Sequence, residues 1–219
     1  MDFGKISKFV DFSEHKSVIC LHGNLPSADF FDSTELSIIA ADGGANNLQK
    51  IGVTPDLIIG DLDSVKEELL YINHLKMADQ NYSDFQKALG YVESNDLTPT
   101  IVCGINGGYI DHILNNINIF CSSKATIIDR STIGMCLDNT RIFNFPVNTK
   151  LSIFGMPNCI ISTRGLKWEL DETVLVFPGN CSCFNRTMTD DIVVDVKSGR
   201  VLLIVYTDRI DDAGAGWIP

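Results

Sequence analysis

The sequence predicts an α/β fold, with an N-terminal doubly wound, mostly parallel sheet domain followed by a small antiparallel β-sandwich-like domain. Two observations carry this. In the first part, short runs that are apolar at nearly every position alternate with stretches of helical spacing, the pattern of strands covered on both faces. After about residue 130 the helical spacing stops, and apolar runs recur at the roughly 8–12-residue rhythm of an antiparallel domain. The predicted division falls at 1–135 and 136–219.

The strands of the first part are "SVICLHG" (17–23), "LSIIAAD" (36–42), "DLIIGD" (56–61), "LKMAD" (75–79), "TIVCGI" (100–105) and "ATIID" (125–129). The helices between them are "ANNLQKIG", "SVKEELLYI", "SDFQKALGYV" and "IDHILNNINIF". Strand and helix in alternation give a doubly wound sheet. The second part reads as "TIGMCLDN", "TRIFNF", "KLSIFGM", "NCIISTRG", "TVLVFPG", "DIVVDVKSG" and "RVLLIVYT". Pro146, Pro157 and Pro178 fall at or near run edges, where a missing N–H does little harm. "KSGR" (197–200) reads as a hairpin turn, and the tail "DDAGAGWIP" as a loose end.

Composition bounds the function. The chain has 219 residues, 45% hydrophobic and 21% charged, which suits a folded protein of one large domain or two small ones. No apolar run approaches the roughly 20 residues of a membrane span. The N-terminus is too polar for a secretory signal and too acidic for a transit peptide, so the expectation is a cytoplasmic protein. A net charge of −11 argues against general nucleic-acid binding. It is compatible with a phosphorylated small molecule if a divalent metal supplies positive charge. The odd count of seven scattered cysteines points to free thiols in a reducing compartment. Cys181-Ser182-Cys183 has no second Cys/His pair near it to complete a metal site.

In an open α/β sheet, ligands bind beyond the carboxyl ends of the strands. The first strand end delivers His22-Gly23-Asn24, the second Asp42-Gly43-Gly44-Ala45-Asn46, and the third Gly60-Asp61-Leu62-Asp63-Ser64. The fourth delivers Asp79-Gln80 and then Ser83-Asp84 at a helix start; the fifth delivers Gly107-Gly108-Tyr109-Ile110-Asp111-His112. Each Asp or Ser taken alone reads as a helix cap and each Gly as a turn. Taken together, Asp42, Asp61, Asp63 and Asp84 map to one rim, and caps have no reason to be acidic as a set. Asp61 and Asp63 are one residue apart, so in extended chain both would point the same way and repel unless a cation lay between them. A Mg²⁺ site explains the set, because hard cations take carboxylate and phosphate oxygens. "DGGAN" and "GINGGYIDH" each lead into a helix, where backbone N–H groups can approach phosphate. Lys87 shares a helical face with Asp84 and reads either as a phosphate contact or as a solvated lysine. His112 reads as a general base or, more commonly, as a hydrogen-bonded residue of a helix face.

These segments together resemble the thiamine pyrophosphokinase family, of eukaryotic type. The resemblance rests on "ADGGANNL" (41–48), "PDLIIGDLDSV" (55–65), "DQNYSDFQKAL" (79–89), "GINGGYIDHILNNI" (104–117) and "STRGLKWEL" (162–170), and spans nearly the whole chain. It implies transfer of the diphosphoryl group of ATP to the thiamine hydroxyl, giving thiamine diphosphate and AMP. By resemblance, Asp61, Asp63 and Asp84 hold Mg²⁺ and act in catalysis, and Asp111 positions substrate or takes up the hydroxyl proton. Asn24, Asp42, Gly43, Gly44, Ala45, Asn46, Ser83, Lys87, Gly107, Gly108 and His112 place the nucleotide. Gln80, Trp168, Ser182 and Asn185 line the thiamine site, with Trp168 stacking on the pyrimidine across a homodimer interface; the first domain is then catalytic, and the second binds thiamine and dimerises. Tyr109 stands where the family usually carries an arginine, so either Arg130, Lys87 or Arg164 supplies that charge or nucleotide handling differs. Phe184 precedes Asn185 where the family often has serine. Two alternatives stay open: another Mg²⁺-dependent nucleotide transferase or hydrolase on the same rim, or a catalytically weak thiamine- or nucleotide-binding protein.

Overall fold

Continuous apolar runs need cover on both faces; the first six strands form one parallel sheet, and the inner ones receive that cover. The computed structural model describes residues 6–207, so the predicted loose tail lies outside the described residues. The chain divides into two compact units, the first running through Arg130 and including Gly134–Cys136. Its elements are β1 (Ser17–Cys20), α1 (Ala28–Asp32), β2 (Ser37–Ala41), α2 (Gly44–Lys50), β3 (Leu57–Gly60), β4 (His74–Lys76), α3 (Asp84–Ser94), β5 (Thr100–Cys103), α4 (Ile110–Phe120) and β6 (Thr126–Ile128). The strand order is β6-β5-β1-β2-β3-β4, every pair parallel. Val18, Ile19, Ile58, Ile101 and Val102 have no exposed surface. In α3, Phe85, Ala88, Leu89 and Val92 are buried, the three-and-four spacing of a helix laid on a sheet. β1 has β2 on one side and β5 on the other, so the order reverses there and opens a crevice at the carboxyl ends.

Two expectations in this unit fail for local reasons. "SVKEELLYI" forms only a 3₁₀ turn, Glu67–Leu69. Its start is taken by α2, since Asn46 accepts from the Lys66 amide (3.0 Å) and donates to the Ser64 carbonyl (2.7 Å). Val65, Leu69 and Ile72 are still buried, so the apolar spacing was real but a turn satisfies it. β4 was expected to be covered on both faces, yet its three residues are exposed; it is a short edge strand.

The second unit comprises Ser131–Ile133 and the chain from Leu137. β7 (Thr132–Leu137) carries residues of both units and is followed by β8 (Arg141–Asn144), β9 (Lys150–Arg164), β10 (Thr173–Val176), β11 (Ser182–Arg186) and β12 (Asp191–Tyr206). β9 pairs antiparallel with β10, β11 and β12, and β12 pairs with β8. The runs "KLSIFGM" and "NCIISTRG" are one strand, and so are "DIVVDVKSG" and "RVLLIVYT". "KSGR" is therefore not a hairpin turn: β12 stays on β9 from Val193↔Arg164 to Tyr206↔Lys150, with register shifts around Ser198 and Gly199. Gly199 has φ 77°, and a Cβ there would lie 2.2 Å from the Asn158 carbonyl oxygen, so the bulge needs glycine. Pro157 lies inside β9 and not at its edge. It sits where β12 is slipping and no ladder bond is available to lose. β11 and α1 were not foreseen. In β11 the register shifts between Ser182 and Asn185, and Phe184 has φ 54°, so no clean alternation marks it. All seven cysteines are free.

Candidate functional site

Asp42 follows β2, Asp61 follows β3 and Asp84 opens α3, so the parallel sheet brings three separate segments to one edge. Each carboxylate offers an oxygen, and these oxygens lie within 4.8 Å of one another. Asp42 is 4% exposed, in the left-handed region with φ 44°. Its amide donates to the Ile59 carbonyl (2.8 Å) and its own carbonyl accepts from the Ala45 amide (3.1 Å), which turns the chain into α2. Gly60 makes the convergence sterically feasible. A Cβ there would lie 2.8 Å from the Asp42 Cβ and 3.1 Å from carboxylate oxygens of both Asp42 and Asp84.

The three carboxylates differ in their partners. Asp84 accepts from Lys87 Nζ at 2.9 Å, and Lys87 is buried, so this lysine is neither solvated nor free to reach outward in this state. Asp61 accepts from Gln80 Nε2 at 2.7 Å and from the Asp63 amide at 3.2 Å. Chiefly the Gln80 bond, then the Asp63 amide, holds the Asp61 carboxyl below its ordinary range. Asp42 is shifted the other way. Burial first, and then the Asp84 charge, push it above its ordinary value of 3.8, and Ser64 and Gly43 offset this only in part. Its Oδ1 is buried with no hydrogen-bond partner. A buried carboxylate oxygen without a donor, beside two more carboxylates and one ammonium, fits a hard divalent cation.

The Asp42 shift has a stability consequence. The folded chain binds that proton more tightly than the unfolded chain, so stability falls as pH rises through the raised value. Asp42→Asn leaves position 42 uncharged at every pH. The expected result is a higher melting temperature near neutral pH without metal, by about 2–4 °C if neutralisation is worth about 1 kcal/mol. A lower melting temperature by calorimetry would contradict a cost of burying the Asp42 charge beside Asp84.

Asp63 does not join this group. Leu62 has φ 67°, so the chain turns at once after β3 and residues 61 and 63 are not alternate positions of a strand. Asp63 is exposed and accepts from the Ser64 hydroxyl at 2.9 Å. Asn46 is 9% exposed and spends its side chain on Ser64 and Lys66, as described above, which makes it a brace for the loop. Ser83 forms a capping box with Gln86. Gly43, Gly44 and Ala45 make the entry to α2.

At the crevice beside β1 and β5, the Asn24 amide donates to the Asn106 carbonyl (2.7 Å) and Asn24 Nδ2 donates to Asn106 Oδ1 (3.0 Å). Asn106 Nδ2 in turn donates to Asp129, which follows β6 and whose carboxyl is raised by burial. Asn106 and Asp129 were missed by sequence reasoning. Their signal was the one used for the other strand ends, a polar residue straight after an apolar run. Gly107 and Gly108 precede α4, and Asp111 and His112 are exposed in its first turn. Tyr109 is also exposed, its ring 6.0 Å from His112. Arg130 Nε donates to the Leu25 carbonyl at 3.4 Å, and its charge acts on the neighbouring Asp129.

In the second unit, Trp168 is 54% exposed and Lys167 Nζ lies 4.7 Å from its ring centroid. Asn185 is buried on β11, and its Nδ2 is 3.4 Å from Ser182 Oγ. Lys167 and Glu169, which flank Trp168, were not singled out from sequence. Glu169 accepts from Thr163 Oγ1 (2.7 Å) and from the Leu166 amide (2.9 Å), tightening the turn that carries the tryptophan.

Comparison with known proteins adds to this geometry. Residues 29–129 match the family described as thiamin pyrophosphokinase, catalytic domain, and residues 144–201 match thiamin pyrophosphokinase, vitamin B1 binding domain. A rice protein named thiamine pyrophosphokinase 3 is 26% identical over 203 residues, covering 75% of this chain and 76% of its own. A Caenorhabditis elegans protein named thiamin pyrophosphokinase 1 is 24% identical over 193 residues, covering 76% and 77%. Among solved structures, yeast thiamin pyrophosphokinase superposes with a TM-score of 0.77 at 17% identity, over 96% of this chain and 92% of that one. The Candida albicans enzyme gives 0.76 at 17% identity, over 90% of each. At that identity these two show a shared fold.

Proposed function

The chain belongs to the thiamin pyrophosphokinase family, whose members transfer the diphosphoryl group of ATP to thiamine, and from that premise we propose that its reaction is centred on Asp42, Asp61 and Asp84. Products are thiamine diphosphate and AMP. The observation that carries the assignment is the buried, unpartnered Asp42 oxygen facing two further carboxylates across the space that Gly60 leaves open.

Diphosphoryl transfer asks little covalent chemistry of a protein; it asks for alignment and for neutralised charge. These carboxylates would hold a Mg²⁺ ion, which would supply positive charge to offset that of the polyphosphate. The chain's own part is to fix the carboxylates. Lys87 holds Asp84 and Gln80 holds Asp61, so both are oriented before any ligand arrives. Asn24, Gly107 and Gly108 lie at the strand-order reversal where a nucleotide is expected to bind. Asp111 and His112, exposed at the start of α4, position the substrate hydroxyl or accept its proton. Trp168 offers an exposed indole face on which the flat pyrimidine of thiamine stacks, within a homodimer whose active sites are shared.

Product analysis with ATP, thiamine and Mg²⁺ tests the reading. Equal amounts of AMP and thiamine diphosphate are expected. ADP or free phosphate would indicate a different transferase or hydrolase, and affinity without product would indicate a binding protein. Light scattering of the active species should give the mass of two chains; a fully active monomer would contradict the shared site.

A further inference from the structure

We propose that Asn185 is a positioning residue: it clamps the backbone of Trp168 and makes no contact with thiamine. This rests on the reading that Trp168 stacks on thiamine, and it changes the role the family resemblance implies for Asn185.

A primary carboxamide has two N–H donors and two acceptor directions. In Asn185 all four are occupied within the chain. Oδ1 accepts from the Trp168 amide (3.1 Å) and the Arg186 amide (2.8 Å). Nδ2 donates to the Trp168 carbonyl (2.7 Å) and lies 3.4 Å from Ser182 Oγ. The residue is 1% exposed, so nothing remains to offer a ligand. One side chain therefore holds both polar groups of the Trp168 backbone.

The surrounding turn is held to the same degree. The Lys167 amide donates to the Arg186 carbonyl (2.8 Å), and Leu166 forms a bridge with Thr187. Glu169 closes the turn from inside through Thr163 and Leu166. The result is an aromatic ring with a rigid base and a free face. The Lys167 ammonium covers one face of the indole, so a flat ligand takes the other. Ordering the platform before binding removes a cost that thiamine would otherwise meet on arrival.

Asn185→Asp keeps the shape and the Oδ1 acceptor but replaces the donor to the Trp168 carbonyl with a second oxygen. The test is thiamine binding by calorimetry for the wild type, Asn185→Asp, Trp168→Ala and the double variant. Loss of one buried hydrogen bond predicts about tenfold weaker thiamine binding for Asn185→Asp, with KM for ATP unchanged. The double variant should bind no more weakly than Trp168→Ala alone, because Asn185 acts through the ring. If the two losses multiply, Asn185 touches thiamine directly and the proposal is wrong. If Trp168→Ala itself leaves affinity unchanged, the stacking assignment fails and takes this proposal with it. A measurement on the wild type guards against a variant that does not fold. The Trp168 amide should exchange slowly with deuterium without thiamine, despite the exposed ring, and rapid exchange would overturn the clamp.

Discussion

Asp61→Asn is expected to lower kcat by about 10²–10³-fold, the scale of removing one preorganised electrostatic group from a charged reaction centre. The melting temperature should hardly move, because Asp61 is partly exposed and an asparagine still accepts from Gln80. Asp63→Asn should cost less than about tenfold, the factor that corresponds to 1.36 kcal/mol of barrier. Asp63 is exposed, offers no oxygen to the convergent set and serves the turn through its backbone amide, which the substitution keeps. Steady-state AMP formation under saturating Mg²⁺ measures both. Equal, severe losses would put Asp63 back among the metal ligands and remove the significance of the Leu62 turn.

Gly60→Ala should combine a loss of stability with a loss of activity. The new methyl would meet the Asp42 Cβ at 2.8 Å and the Asp84 carboxylate at 3.1 Å, with buried atoms around it. Overpacking of this kind costs about 1–3 kcal/mol. Relief comes by pushing the two carboxylates apart, and a misplacement of about 1 Å in a reacting geometry costs on the order of 100-fold in rate. Gly90→Ala is the control. Gly90 lies in α3, and a Cβ there meets nothing within 4 Å, so stability should be kept or gained, as expected for glycine replacement in a helix. Thermal unfolding and turnover of both variants decide the matter, and normal activity in Gly60→Ala would mean that the carboxylates need not converge.

Much of this was legible in the residues. The parallel strands announced themselves because burial on both faces leaves no polar position, as in Ile58-Ile59 or Ile101-Val102. Asp42, Asp61 and Asp84 could be placed on one rim because each follows a strand or opens a helix, and the sheet aligns those points. What was hidden depends on backbone angles or on distant partners. Leu62 carries no sign of its positive φ, so Asp63 looked equivalent to Asp61. "KSGR" has turn composition, but its bulge is set by pairing with Asn158 and Cys159 some 40 residues away in sequence. "VKEELL" has helical spacing, but Asn46 claims the Lys66 amide. Asn185 showed only that it was polar; two of the four bonds that occupy it are to the backbone of Trp168, 17 residues earlier.

Asp42, Asp61 and Asp84 are proposed to hold one divalent cation. Crystals grown with Mn²⁺ and a non-hydrolysable ATP analogue would reveal it through the anomalous signal of the metal. The expected map has a peak within coordination distance of oxygens from all three carboxylates, with Asp42 Oδ1 among them and phosphate oxygens on the far side. A peak bound by none of the three, or carboxylates still tied only to Gln80 and Lys87 at saturating metal and nucleotide, would contradict it.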